Sequence, residues 1–338
     1  MKRVLLLGGN GFIGSQIKLL FDQQAEVLTL TAPPSVRLDL VTADEAAWNK
    51  LLTTARPDVI VNAAGRTTGT TAGLYEANLL LVSRLLTSLE RLHLFPWLVQ
   101  LGSAAEYGVT PPGRAVDEET TCHPLNDYGA SKLAATHLIQ EALSLQKARG
   151  VVLRVFNPVG VGQSEVTLPG RAARLLREAE MQGQSQVTFG SLASSRDYLD
   201  VRHVARATLV AARLGDVQPL GSEVRFADGG RPFTFWPGGT APGVLNVGSG
   251  QARCSRELVK RLARLAGFAG RIGEQSQGSP RSVVPWQQAD IWQLRALGWS
   301  PHFSLEDALQ DLWNSLPTLP LPFLDAELTA SGSIDTRS

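Results

Sequence analysis

The sequence predicts an α/β fold, a doubly wound parallel sheet joined to a smaller C-terminal substrate-binding domain. Three observations carry that expectation. A continuous apolar run ending at Leu7 is cut off by glycine and followed at once by a helix-opening segment. Strand-like and helix-like stretches then alternate as far as Val155, which calls for right-handed crossovers and helices on both faces of one parallel sheet. Beyond about Leu168 the alternation loosens, as in a second, less regular unit.

The segment from Lys2 to Leu7 reads as a short buried strand because its apolar residues are consecutive. Gly8-Gly9-Asn10-Gly11-Phe12-Ile13-Gly14 then opens a helix to about Gln24. These glycines allow a tight turn and close approach of main chain to a phosphate, and a helix N-terminus offers the anion free N–H groups. The spacing is Gly-x-x-Gly-x-x-Gly and not the commoner GxGxxG. Directly after a strand, it points to cofactor binding. Glu26 to Leu30 is a second strand, ending in Thr31-Ala32-Pro33-Pro34. An acidic residue often stands there to bind the adenosine ribose hydroxyls. With no carboxylate present and Arg37 nearby, NADP(H) is expected over NAD(H).

Arg37 to Leu40 gives a small strand end, and Thr42-Ala43-Asp44-Glu45 is a capping-box pattern opening a helix to about Ala55. Asp58 to Val61 is a strand running into Asn62-Ala63-Ala64-Gly65, where small residues let a ligand lie close. Leu74 to Leu92 is a long helix carrying Asn78, and Trp97 to Leu101 is a strand followed by Gly102-Ser103-Ala104-Ala105-Glu106-Tyr107-Gly108. A helix from Asp127 to about Arg149 places Tyr128 and Lys132 on one face. A cation beside a phenol lowers its pKa, and the phenol can then exchange a proton with a carbonyl or hydroxyl oxygen. Val151 to Val155 closes the alternating half.

In the second half, Arg171 to Gln182 is a helix whose Glu178 and Glu180 argue for a solvated face and against a nucleic-acid surface. Gln186 to Phe189 and Tyr198 to Val201 are short strands, Ser255 to Ala266 is a helix, and Ser304 with Asp307 caps a last one. The stretch from Gly221 to Gly243 is a substrate lid or an irregular surface loop, and Pro317 to Ser338 is a tail without a catalytic role.

Composition narrows the function classes. Apolar residues make up 43% of the 338 positions, charged residues 19%, and the formal net charge is +1. No general attraction to nucleic acid or an anionic membrane follows. Two cysteines without ligand spacing argue against a disulfide framework or a metal site, and no segment approaches membrane-spanning length. A cytoplasmic enzyme is expected.

In combination these motifs resemble the extended short-chain dehydrogenase/reductases, the nucleotide-sugar epimerase/dehydratase group, over about residues 2 to 315. The resemblance implies a Rossmann-type domain over 1–165 with returning segments from the second half, a nucleotide-sugar domain over 166–316, and a tail. It assigns the dinucleotide to the segment from Gly8 to Gly14 (Gly8, Asn10, Gly11, Phe12, Ile13, Gly14), to Asp39 and Leu40, to Ala63, Ala64 and Gly65, and to Asn78, Tyr128 and Lys132. Ser103, Tyr128 and Lys132 become the catalytic residues, and Asn78 orders water or main chain behind Lys132. Asn157 of Arg154-Val155-Phe156-Asn157 and Arg196 of Arg196-Asp197-Tyr198-Leu199 become substrate contacts with Ser103, and Arg281 stands near a second diphosphate-binding position.

Dehydratases of the group carry acids just after the catalytic Ser or Thr, where Ala104 and Ala105 stand here. Glu106 on an extended segment would face away. The second half most resembles GDP-4-keto-6-deoxymannose reductases and dTDP-4-keto-6-deoxyhexose ketoreductases. Reduction of a nucleotide-activated 4-keto-6-deoxy sugar is the expectation, with an epimerase holding NAD tightly, or a non-catalytic dinucleotide sensor, as alternatives. The resemblance also implies a homodimer paired through the helices Leu74–Leu92 and Asp127–Arg149.

Overall fold

The computed structural model describes residues 1–30, 39–217, 223–224, 233–234, 243–275 and 284–317. Arg37, Arg281, most of the Gly221–Gly243 stretch and nearly all of the tail lie outside them. The first half runs β1 (Lys2–Leu7), α1 (Phe12–Asp22), β2 (Val27–Leu30), α2 (Glu45–Ala55), β3 (Val59–Asn62), α3 (Thr71–Tyr75), α4 (Leu81–Arg91), β4 (Trp97–Ser103), α5 (Asp127–Ser144) and β5 (Arg149–Val155). The second runs β6 (Asn157–Val159), α6 (Leu168–Gln182), β7 (Gln186–Phe189), β8 (Ser195–Asp200), α7 (Val201–Val217), β9 (Glu223–Val224), β10 (Phe233–Thr234), β11 (Val244–Val247), β12 (Ala252–Cys254), α8 (Ser255–Leu265), β13 (Arg271–Glu274), α9 (Trp292–Ala296) and α10 (Leu305–Asn314).

A six-stranded sheet has the order β11-β5-β4-β3-β1-β2, every pair parallel. Residues of β1 alternate between its two faces. Val4 and Leu6 enter a core with Ile17 and Phe21 of α1 and Ala205 and Ala211 of α7. Leu5 and Leu7 enter the opposite core with Trp48 and Leu52 of α2, Leu85 of α4 and Ile139 of α5. Burial on both faces is why the strand reads as an unbroken apolar run. The predicted α/β layering is therefore present. β11 arrives from the second half to pair with β5, its Leu245 opposite Leu153. From β1 the chain moves one way to β2 and the other way to β3, so the sheet reverses direction between β1 and β3, where open α/β sheets bind ligands.

The second half builds its own core from Leu176, Val187, Tyr198, Leu258, Leu309 and Trp313. β8 lies between β12 and β6 in a three-stranded sheet. Among the described residues no helix is long and apolar enough to cross a membrane.

Several boundaries differ from the sequence reading for local reasons. The helix expected from Leu74 begins at Thr71 and carries a π turn at Glu76–Leu80. Asp44, not Thr42, caps α2 by accepting from the Ala47 N–H at 2.8 Å. Asp39 and Leu40 lie in a turn and not at a strand end, the Asp39 carbonyl accepting from Thr42 and Ala43. α5 stops at Ser144, short of Arg149, because Gln146 takes a left-handed conformation and the chain folds back into β5. α7 was not foreseen. It follows β8 without a turn, and its buried face sets Ala205, Ala207, Ala211 and Ala212 among Val201, Val204 and Leu214.

Candidate active site

The glycine loop is built for contact with main chain. Gly8 has φ +77°, and a β-carbon there would stand 2.6 Å from the Ala64 nitrogen and 2.7 Å from the Ala63 carbonyl carbon. A β-carbon on Gly14 would stand 2.0 Å from the Gly8 oxygen. The Gly11 N–H donates to that oxygen at 3.0 Å, tightening the turn. Gly11 precedes α1 as its cap residue and supplies no side chain to the first-turn N–H groups. Asn10 is exposed, while Phe12 and Ile13 are half-buried behind the turn. This cradle, at the point where the sheet reverses, fits a dinucleotide diphosphate by size, main-chain donors and helix dipole.

Around it, Asn62 donates to Gln100 Oε1 at 2.8 Å and accepts from the Ala64 N–H at 3.1 Å, fixing the Ala63–Gly65 turn. Asp39 accepts from the Val41 N–H at 3.0 Å, and Leu40 packs partly against the adjacent core. Asn78, buried on the π turn, accepts from the Arg66 N–H and donates to the Arg66 carbonyl and the Ser131 hydroxyl, each at 2.9 Å. A π turn displaces one residue from regular helical register. Here that residue reaches both the loop after β3 and the helix that bears Tyr128 and Lys132.

Ser103 ends β4, and Tyr128 and Lys132 lie in the first turns of α5, whose cap Asn126 accepts from the Gly129 N–H at 2.9 Å. Gly129 lets α5 press on the turn after Ser103, since a β-carbon there would stand 2.6 Å from the Ala105 oxygen. Burial pushes the Tyr128 phenol above its ordinary range, the neighbouring Ser103 side chain acts against this, and the negative charge of Glu106 adds to the upward push. Lys132 is buried and donates to the Leu101 carbonyl. Its pKa is lowered, chiefly by burial, with Glu106 acting against the shift. The expected depression of the phenol by the ammonium is thus corrected. In this structure desolvation dominates and keeps Tyr128 protonated.

Ala104 and Ala105 present no proton-transferring group. The turn they begin is a 3₁₀ turn and not the extended segment expected, and Glu106 points inward, fully buried. It accepts from the Ser103 N–H at 2.7 Å, from the Thr136 hydroxyl at 3.0 Å and from Arg154 Nε at 2.9 Å.

On the opposite side, Asn157 donates to the Asp197 carbonyl at 3.1 Å and to Gln287 Oε1 at 3.4 Å, and Gln287 donates to the Ala104 carbonyl at 2.8 Å. Gln287, which the sequence did not single out, therefore bridges Asn157 to the turn after Ser103. Arg196 is half-buried and donates to the Ser195 carbonyl at 3.0 Å, and burial lowers its pKa. It makes no pair with Asp197. That carboxylate, pushed up to about 6 by burial, accepts from Ser249 N–H and hydroxyl, Gly250 N–H and Ala289 N–H at 2.7 to 3.0 Å. Arg253 of β12 stands directly opposite Arg196 in register.

A glycine cradle lies where the sheet reverses, and Ser103, Tyr128 and Lys132 lie at the end of β4 and the start of α5; the comparisons assign the chain to an NAD(P)-dependent enzyme family. The family model described as "NAD dependent epimerase/dehydratase family" matches residues 4–223. The chain belongs to that family, within the extended short-chain dehydrogenase/reductases. It is 35% identical over 94% of its length, and 97% of the relative's, to a protein of Kitasatospora kifunensis named dTDP-6-deoxy-L-talose 4-dehydrogenase (NAD(P)(+)). It is 26% identical over 93% of its length, and 98% of the relative's, to a GDP-6-deoxy-D-mannose reductase of Pseudomonas aeruginosa. The solved structure of RMD from Pseudomonas aeruginosa complexed with NADPH superposes with a TM-score of 0.76, covering 93% of this chain and 98% of that one at 26% identity.

Proposed function

We propose that the protein interconverts the 4-keto and 4-hydroxy forms of a nucleotide-activated 6-deoxy sugar, working physiologically as an NADPH-dependent reductase. The observation that carries this reading is the placement of Tyr128 and buried Lys132 in the first turns of α5, which presses through Gly129 on the turn after Ser103, a turn whose first two residues are alanines. The glycine cradle and the Ala63–Gly65 turn would hold a dinucleotide, which when bound would supply the hydride for the sugar carbon. The protein does the rest. The neutral Tyr128 phenol donates its proton to the reduced oxygen, and Ser103 hydrogen-bonds the same oxygen, polarising the carbonyl. Lys132 holds positive charge behind the phenol while the phenol is ionised and would hold the nicotinamide ribose of a bound cofactor. Arg196 and Asn157 take the sugar nucleotide's diphosphate, for which the planar guanidinium is suited.

Upward displacement of the Tyr128 pKa favours the proton-donating form, the one reduction needs. The Kitasatospora relative is named for the same carbon in the oxidative direction, and its name tilts the nucleobase toward thymine. The missing carboxylate after β2 and the NADPH-bound Pseudomonas structure favour NADP(H). The cytoplasm is the proposed compartment. Dehydration is disfavoured because Ala104 and Ala105 cannot move a proton and Glu106 is committed to Arg154. The test is label transfer from NADPH deuterated at nicotinamide C4. A reductase leaves deuterium at sugar C4 and oxidised cofactor in solution, whereas an epimerase, which takes its hydride from the sugar and gives it back, leaves the added NADPH unconsumed and the sugar unlabelled.

A further inference from the structure

We propose that Glu106 is a positioning residue for this reaction, a buried carboxylate that fixes the Ser103 main chain to the helix bearing Tyr128 and Lys132. The inference rests on the proposed chemistry for its meaning, but on the structure for its geometry. Ser103 and Glu106 form a reciprocal cap around the 3₁₀ turn. The Ser103 hydroxyl accepts from the Ala105 N–H at 3.2 Å, and the Ser103 N–H donates to Glu106 Oε1 at 2.7 Å. The other carboxylate oxygen leaves that turn. It takes the hydroxyl of Thr136, one helical turn beyond Lys132 on α5, at 3.0 Å, and Arg154 Nε of β5 at 2.9 Å.

One carboxylate thus joins the strand end that carries the serine, the helix that carries the tyrosine, and the neighbouring strand. A carboxylate that is fully buried is costly unless paired and bonded on both oxygens, which this one is. The Arg154 guanidinium stacks 4.7 Å from the Tyr107 ring centre and donates to the Glu118 carbonyl at 3.4 Å, so the counter-ion is itself held. A cap alone would need neither Thr136 nor Arg154.

The carboxylate also acts through its charge. The titratable groups that feel it are Tyr128, Lys132, Cys122 and Arg154. Its negative charge raises the pKa of Tyr128, so removing the charge lowers it.

Two variants test the proposal by readouts a purely structural residue would not move. Glu106→Gln keeps the length and an accepting oxygen but loses the charge. The chain has four tyrosines, so ring-carbon NMR of labelled tyrosine, with Tyr128→Phe to assign the signal, follows the Tyr128 titration directly. The titration should move to lower pH in Glu106→Gln. An unmoved titration overturns the electrostatic half, whichever sugar proves to be the substrate. Thr136→Val changes no charge and removes the link to α5. It should leave the titration in place and lower kcat on the order of tenfold, the worth of one hydrogen bond to a charged group, with KM and dinucleotide affinity unchanged. A Thr136→Val protein with wild-type kcat overturns the positioning role. A wild-type protein that turns over no sugar nucleotide refutes the function proposed above and leaves the titration to decide this inference.

Discussion

Gly8 and Ala64 touch across the point where the sheet reverses direction, leaving 2.6 Å between the Ala64 nitrogen and any β-carbon placed on Gly8. The contact joins the loop after β1 to the turn after β3 and sets the floor of the glycine cradle. Gly8→Ala should therefore act twice. It forces a side chain into a left-handed conformation, worth roughly 1–3 kcal/mol of stability, and pushes the Ala63–Gly65 turn out of place. Thermal melting and dinucleotide titration should both suffer, and a Gly8→Ala protein with wild-type melting and affinity would show that the cradle is not closed by this contact.

Arg196→Ala should weaken sugar-nucleotide binding by roughly tenfold to a hundredfold, the range of one or two charge-assisted hydrogen bonds. Dinucleotide affinity should hold, since Arg196 lies on β8 in the second half. Calorimetric titration with dTDP and with NADPH separates the two. Loss of NADPH affinity alone would reassign the residue.

His203 should make stability fall on acidification. Its Nε2 accepts from the His302 and Phe303 N–H groups at 2.7 and 2.8 Å, and burial pulls its pKa down to about 4 from 6.5. The unfolded chain takes up this proton below pH 6.5 and the folded protein only near pH 4, so the stability present above 6.5 drains away across that window. The full loss is about 3 kcal/mol. Buried Asp197, at about 6, and Glu118, at about 7, titrate with the opposite sign in an overlapping range. The measurement is therefore a comparison with His203→Gln, whose stability should decline less as the pH falls. Parallel melting curves for the two proteins through this range would contradict the assignment.

The protein should be a homodimer with α4 and α5 at the interface. Leu86 of α4 and Leu138 of α5 line a groove of about 200 Å³ between these helices, and Leu145, just past α5, stands 58% exposed beside it. A two-fold contact would bury the same apolar surface on both copies. Light scattering at micromolar concentration should return twice the chain mass, and a monomer mass would refute the dimer.

Much of this was legible because the decisive patterns are local. Apolar runs marked β1, β3, β4 and β5, and the glycine spacing after β1 marked the turn that closes on Ala63 and Ala64. What escaped depends on packing. α7 has no turn before it, so nothing local separates its start from the end of β8. Gln287 reaches Asn157 and the turn after Ser103 only through bonds between distant segments. Glu106 is the instructive case. Ser103-Ala104-Ala105-Glu106 has the Ser-x-x-Glu spacing of a capping box, so the sequence itself carries the signal for the turn that replaces the extended segment.

The central claim is tested most directly by offering the protein NADPH with a preformed 4-keto-6-deoxy sugar nucleotide, of the dTDP and then the GDP series, and following the cofactor's near-ultraviolet absorbance. The wild-type protein should consume NADPH in proportion to substrate, and Tyr128→Phe should slow this by about 10²–10⁴-fold with cofactor affinity retained. No NADPH consumption with either series, or a Tyr128→Phe protein as fast as wild type, would contradict the account.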